Sequence, residues 1–226
     1  MITLVTCTGD RQNLFRRLER WMLRQTLSWS HWIVVDDGRQ PTACTLGQHY
    51  LRLSPGLSPA ESFAKNMETV LLENERFADS EYVFVVEDDD WYSPNYLASL
   101  TIALLTADLV GEPHAPFYNV RYRSYAICPN AHYAALCATA FRASLIRDIL
   151  PLIDSSDTEL DRRIWEELDC SKRLQRTRHC VGLKGQSGRP GLSGGHIPDG
   201  FRPDPEGRLL RQWICDDAHE VLNSEN

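Results

Sequence analysis

The apolar run Tyr82-Val83-Phe84-Val85-Val86 is followed at once by four carboxylates, Glu87-Asp88-Asp89-Asp90, and then by Trp91-Tyr92-Ser93-Pro94. Five bulky, β-rich residues in a row predict a buried strand. Ser93 before Pro94 predicts an N-cap and a first helical residue, so the acids fall at the carboxyl end of a strand. Open α/β sheets bind their ligands there. Adjoining carboxylates repel one another, and hard oxygen ligands suit a divalent cation such as magnesium or manganese, with a phosphate-bearing substrate as the expected partner of the ion. A solvated acidic loop is the ordinary fate of a charge run; the position at a strand end is what favours a metal.

The residues upstream repeat the same arrangement. Ile2 to Thr6 reads as a strand, the turn Cys7-Thr8-Gly9-Asp10 follows, and Leu14, Phe15, Leu18, Trp21 and Met22 recur at helical spacing. His31-Trp32-Ile33-Val34-Val35 is a second strand ending in Asp36-Asp37-Gly38, and Tyr50-Leu51-Arg52-Leu53 a third. Ser58-Pro59-Ala60-Glu61 has the form of a capping box, and Phe63, Met67, Val70 and Leu71 continue that helix. Strands alternating with helices over residues 1–107 predict a mostly parallel sheet covered by helices on both faces. Beyond it the sequence predicts a helix over 94–107, a strand within 117–128, a helix over 138–150, another beginning near Ser156 or Asp157, and a C-terminal helix over 208–218. Residues 184–196 hold five glycines in thirteen positions, which predicts a flexible loop within 184–205.

The chain of 226 residues suits one α/β domain with a nucleotide-binding half, 1–107, and an acceptor half, 108–226. Seven cysteines without a C-x-x-C pair argue against zinc ribbons and disulfide frameworks and for free thiols in a reducing compartment. With no basic leader before an apolar segment and no apolar stretch of spanning length, a cytoplasmic protein is expected. The net charge of −7 excludes a generally nucleic-acid-coating surface, yet residues 170–190 carry six basic side chains and no acid.

Several segments in order carry a family resemblance: Thr3 to Arg11, the Gln25-Thr26 turn, Trp32-Ile33-Val34-Val35-Asp36-Asp37-Gly38, Ala64-Lys65-Asn66, and Val85 to Pro94. Over most of residues 1–170 the chain resembles nucleotide-sugar glycosyltransferases of the GT-A fold, most closely the inverting family 2 that includes cellulose and chitin synthases. The resemblance implies a donor such as a UDP-sugar, a manganese or magnesium ion, and a hydroxyl acceptor. It maps the D-x-D motif onto Glu87-Asp88-Asp89, with Glu87 and Asp89 as metal ligands and Asp89 first among them. Asp36 or Asp37 would meet the nucleotide base, and Thr6, Arg11, Lys65 and Asp88 would belong to the donor side. The glycine-rich loop would close on the diphosphate, with Lys184 and Arg189 clamping phosphate oxygens and His196 added to the metal. The family's base motif aligns with Ser156-Asp157, making Asp157 the candidate general base, with Glu159 and Asp161 as alternatives. Asp90 is left to orient the site or cap the following turn.

Size and the basic stretch also resemble compact viral enzymes that modify hydroxymethylated pyrimidines in DNA, which would place the protein in a host cytoplasm and make DNA the acceptor. Serving the donor diphosphate alone is the competing role for those residues. A sugar-nucleotide pyrophosphorylase needs a glycine-rich G-x-G-x-R signature that Cys7-Thr8-Gly9-Asp10-Arg11 lacks. A non-catalytic binding module would have lost the acidic edge, which is intact.

Overall fold

A computed structural model describes residues 1–76, 79–127, 130–189 and 199–223. The first half runs β1 (Ile2–Thr8), α1 (Gln12–Leu23), β2 (His31–Asp36), β3 (His49–Arg52), α2 (Pro59–Arg76) and β4 (Tyr82–Val85). β1 pairs in parallel with β2 and β4, and β2 in parallel with β3. Alternation sorts these strands between two layers. Leu4, Val34 and Phe84 pack with Phe15, Leu18 and Met22 of α1. Val5, Ile33, Val35, Val83 and Val85 pack with Met67, Val70 and Leu71 of α2. Burial on both faces is why these strands read as continuous apolar runs. At the start of α2, Ser58 Oγ accepts from the Glu61 amide at 3.1 Å and the Glu61 carboxylate accepts from the Leu57 amide at 2.8 Å, so the capping box forms with its return bond one residue early.

The chain continues through β5 (Trp91–Tyr92), α3 (Tyr96–Leu104), β6 (Leu109–Gly111), β7 (Pro116–Asn119), β8 (Ser124–Ile127), β9 (Thr139–Arg142), α4 (Ile146–Ile149), α5 (Leu160–Glu167), β10 (Lys172–Leu174), β11 (Cys180–Lys184), β12 (Arg202–Pro203), α6 (Arg208–Ile214) and α7 (Asp217–Asn223). The described residues form a seven-stranded sheet ordered β10-β6-β9-β4-β1-β2-β3 and a five-stranded sheet ordered β12-β8-β7-β11-β5. The first core cluster joins them: Tyr92 and Cys180 of the smaller sheet share it with Leu4 and Phe84 of the larger one. Trp21, Trp91, Tyr118 and Leu183 build a further cluster with Leu210 and Ile214 of α6.

Four expected elements take a different form. The helix over 94–107 is shorter, running from Tyr96 to Leu104, and Trp91 and Tyr92 before it extend against β11 in an antiparallel pair. Ser93 Oγ meets His179 Nδ1 at 2.7 Å, and α3 begins after Asn95 without a side-chain cap. The single strand within 117–128 is a hairpin of β7 and β8. The helix over 138–150 gives way to β9, which lies antiparallel between β4 and β6; Ala138, Ala140 and Ala143 favour helix, but two open strand edges supply hydrogen bonds to 139–142, and the helix that remains is α4 with a 3-10 turn on either side. The C-terminal helix is two, α6 and α7, broken at Cys215, whose φ is +52°. The six described cysteines are free thiols, and among the described residues no helix is long and apolar enough to cross a membrane.

Candidate active site

The carboxyl ends of β1 and β4 open onto a cavity of about 600 Å³. Its walls come from Cys7, Thr8 and Gly9 after β1, the loop 55–59, Phe63, Asn66 and Met67 of α2, the edge 87–89, and Thr158 and Asp161 around the start of α5. A cavity of this size accommodates a substantial part of a nucleotide sugar.

The four acids sit in four settings. Asp88 accepts from the Thr8 hydroxyl at 2.6 Å and from Arg11 Nη1 at 2.7 Å. Asp89 Oδ2 lies 3.2 Å from the same Nη1. Asp90, fully buried, accepts from the Leu183 amide at 2.8 Å and from Lys184 Nζ at 3.1 Å. It thereby ties the acidic edge after β4 to β11. Glu87 is half-buried, its amide donating to the Tyr92 hydroxyl at 2.7 Å and its carboxylate 4.0 Å from Lys184 Nζ. Burial and the neighbouring Asp90 push the Glu87 carboxyl up to about 8. Burial also raises Asp88, against the pull of Arg11, and raises Asp90, against that of Lys184. Burial alone would pull the Lys184 ammonium down, but Asp90, Asp89 and Glu87 outweigh it and hold the lysine charged.

Two resident cations therefore face four carboxylates, and the donor set suits a divalent ion. Asp88 and Asp90 each hold a cation by hydrogen bond, whereas Asp89 shares Arg11 at 3.2 Å and Glu87 stands 4.0 Å from Lys184; Glu87 and Asp89, both lining the cavity, offer the hard oxygens such an ion needs. Single oxygens of Glu87 and Asp90 and Cys137 Sγ also lie within 4.8 Å of one another.

Asp36 and Asp37 diverge despite being neighbours. Asp36 is enclosed in its own turn, accepting from the amides of Gly38 and Thr42, both at 2.7 Å, from Tyr50 Oη at 2.6 Å, and pairing with Arg52 at 2.9 Å. Burial would raise its carboxyl, but these donors outweigh that and lower it. The turn needs Gly38, where an added Cβ would lie 2.4 Å from the Asp10 amide nitrogen. Asp37 pairs through Oδ1 with Arg189 at 2.5 Å, while its Oδ2 is buried without a hydrogen-bond partner among the described residues.

The remaining expected residues divide in the same way. Arg11, Asp88, Asp89, Glu87, Lys184 and Arg189 line the cavity together. Thr6 lies beneath it, fully buried between Val86 O and Trp32 Nε1. Lys65 turns outward and donates to Ser54 O at 3.1 Å. Asp157 pairs with Arg163 and accepts from the Glu159 amide, and Glu159 is exposed beside Arg162. Asp161 does line the cavity, and burial pushes its carboxyl up to about 6. His196 lies outside the described residues.

Asn66 is a cavity residue to which the sequence gave no role. Its side-chain oxygen is buried and unpartnered among the described residues. The signal was its place beside Lys65 in a helix one face of which is buried.

No protein-family model matches the sequence, and no curated protein matches it. Among solved structures the chain is similar to S. aureus TarS. Against TarS 1–349 in complex with UDP the TM-score is 0.54 at 12% identity, covering 80% of this chain and 60% of that one. Against TarS 1–349 in complex with UDP-GlcNAc it is 0.54 at 12% identity, covering 98% and 70%. Against a further crystal structure of TarS it is 0.56 at 14% identity, covering 80% of this chain and 36% of that one. At such identities the likeness is one of fold: the chain has the α/β, GT-A-like architecture that its motifs led us to expect, shared with a protein solved with UDP and with UDP-GlcNAc bound.

Proposed function

We propose that this protein is a metal-dependent glycosyltransferase that moves a sugar from a UDP-like donor to a hydroxyl acceptor with inversion. The observation that carries this reading is the convergence of Glu87, Asp89, Arg11 and Arg189 on one cavity at the carboxyl ends of the parallel strands, in a fold shared with a UDP-bound structure.

Glu87 and Asp89 would hold the ion, which supplies charge neutralisation for the departing diphosphate. Arg11 and Arg189 add fixed positive charge beside the same oxygens. Asn66 Oδ1 and Asp37 Oδ2, both acceptors without a partner among the described residues, suit the N–H of a uracil-type base. The acceptor oxygen attacks the anomeric carbon as the bond to the diphosphate oxygen breaks; the electron pair leaves with the nucleoside diphosphate, and a carboxylate takes the hydroxyl proton. Asp161 is the carboxylate we assign to that step, since it lines the cavity and its carboxyl sits at about 6, within reach of the operating pH of a general base.

The test is incubation with a panel of UDP-sugars and manganese, following nucleotide products. Release of UDP that stops on chelation is the expected result. Formation of UTP from UDP-sugar and pyrophosphate, without UDP release, would assign the chain to the pyrophosphorylase class instead.

A further inference from the structure

The turn 184–189 is shared between two cavities. Lys184 and Arg189 line the one described above, whereas Gly185, Gln186, Ser187 and Gly188 line a second, of about 370 Å³, together with Arg121 and Arg123. No carboxylate lines this second cavity among the described residues. Arg123 donates to Leu222 O at 2.9 Å, and Arg121 stands over the Tyr122 ring at 5.7 Å; neither forms an ion pair among the described residues.

In a chain with 31 acids and 24 lysines and arginines, a lining with two arginines and no acid is a selective arrangement. Two guanidinium groups beside one cavity repel each other, and an anion between them relieves that repulsion. Their planar forks match the paired oxygens of a phosphate group. The turn brings its backbone close to the cavity: Gly185 and Gly188 have φ of +70° and +102°, a region that favours glycine. Side chains are excluded there, since an added Cβ would lie 2.4 Å from Asn119 Oδ1 at Gly185 and 2.9 Å from Asp10 O at Gly188.

We propose that Arg121, Arg123 and the turn 185–188 form a phosphate subsite separate from the donor cavity. It takes the oxygens of a phosphate group, whether a phosphodiester of a polymeric acceptor or free phosphate. The same turn reaches the acidic edge, with Gln186 Nε2 donating to Asp89 O at 2.6 Å and Leu183 O at 3.1 Å, so a bound phosphate braces the segment that holds both cavities.

The experiment is an amide-resolved NMR titration of the full chain at low salt with inorganic orthophosphate, with a short oligothymidylate, and with either probe in the presence of saturating UDP. Saturable shifts are expected at the amides of 121–123 and 185–188, weakened at least about tenfold in Arg121→Gln/Arg123→Gln. Arg121→Gln alone, at an exposed position, should weaken them without disturbing the fold. Tighter, salt-sensitive binding of the oligothymidylate assigns the site to a polymer's phosphodiesters; equal binding of the two probes assigns it to free phosphate. Absence of saturable shifts at these amides, binding undiminished in the double variant, or loss of the shifts once UDP saturates the donor cavity would overturn the proposal.

Discussion

Arg11 Nη1 lies 2.7 Å from Asp88 Oδ1, joining the start of α1 to the end of β4 at the wall of the larger cavity. The pair is largely withdrawn from water, at 12% and 1% side-chain exposure, and the same nitrogen reaches Asp89 at 3.2 Å. A buried pair is costly to break because one charge is left uncompensated. Arg11→Gln is therefore expected to destabilise the protein by about 3 kcal/mol in urea melts. A divalent ion neutralises the same acids, so manganese should stabilise the variant more than the parent chain. Equal stabilisation of the two would separate Arg11 from the metal site.

Lys184 and Asp90 form a second such pair, at 3% and 0% exposure. Lys184→Met should cost about 3 kcal/mol, and Lys184→Met/Asp90→Leu less than the two single changes added together. Additive costs in a double-mutant cycle would mean that the two side chains act independently.

Gly9 sits where Arg189 meets Asp37. An added Cβ would lie 2.6 Å from Asp37 Oδ1 and 2.7 Å from Arg189 Nη2, and the arginine, as the flexible partner, is the one to move. Gly9→Ala is expected to cost about 1 to 2 kcal/mol of stability and to weaken UDP binding about tenfold by displacing Arg189. Calorimetric titration with UDP checks it; unchanged affinity would remove Arg189 from the donor site.

Asp161 gives the pH dependence. Its folded carboxyl, at about 6, lies above the ordinary carboxylate value of 3.8, so the folded state binds the proton more tightly than the unfolded state does. This contribution to stability is greatest below pH 3.8 and is lost as pH rises toward about 6. Asp161→Asn should therefore leave stability unchanged near pH 4 and raise it by on the order of 1 to 2 kcal/mol at pH 8. Donor turnover should rise through pH 6 in the parent chain and lose most of its rate in Asp161→Asn, whereas Asp157→Asn, at a residue paired with Arg163, retains it. The reverse order of the two variants would return the base to Asp157.

The parallel half of the fold was legible because β1, β2 and β4 are buried on both faces and α1 and α2 carry an apolar stripe, so local period and tertiary burial agree. They disagree at 139–142, where a segment expected to be helical is drawn into the sheet by open edges on β4 and β6. The acidic edge could be read from its place after an apolar run. Its division of labour could not: that Asp90 belongs to Lys184 and Asp88 to Arg11 depends on contacts 94 and 77 residues apart. The same holds for Asp36 and Asp37, adjacent in sequence, of which one is closed within its turn and the other keeps an oxygen unpartnered among the described residues. Asp157 stood out by its motif; that Asp161 lines the cavity while Asp157 pairs with Arg163 depends on packing that the motif does not carry.

Binding of a UDP-sugar through a metal at Asp89 can be measured by thermal unfolding of the parent chain and Asp89→Ala, each with UDP-GlcNAc, with manganese, and with both. The expected result is a rise in midpoint for the parent chain that is largest with both ligands together. Asp89→Ala should unfold near the parent's own midpoint without ligand and show no added gain from manganese. A parent chain that UDP-GlcNAc does not stabilise with or without manganese, or an Asp89→Ala variant stabilised as fully as the parent, would contradict the assignment of this cavity as a metal-assisted donor site.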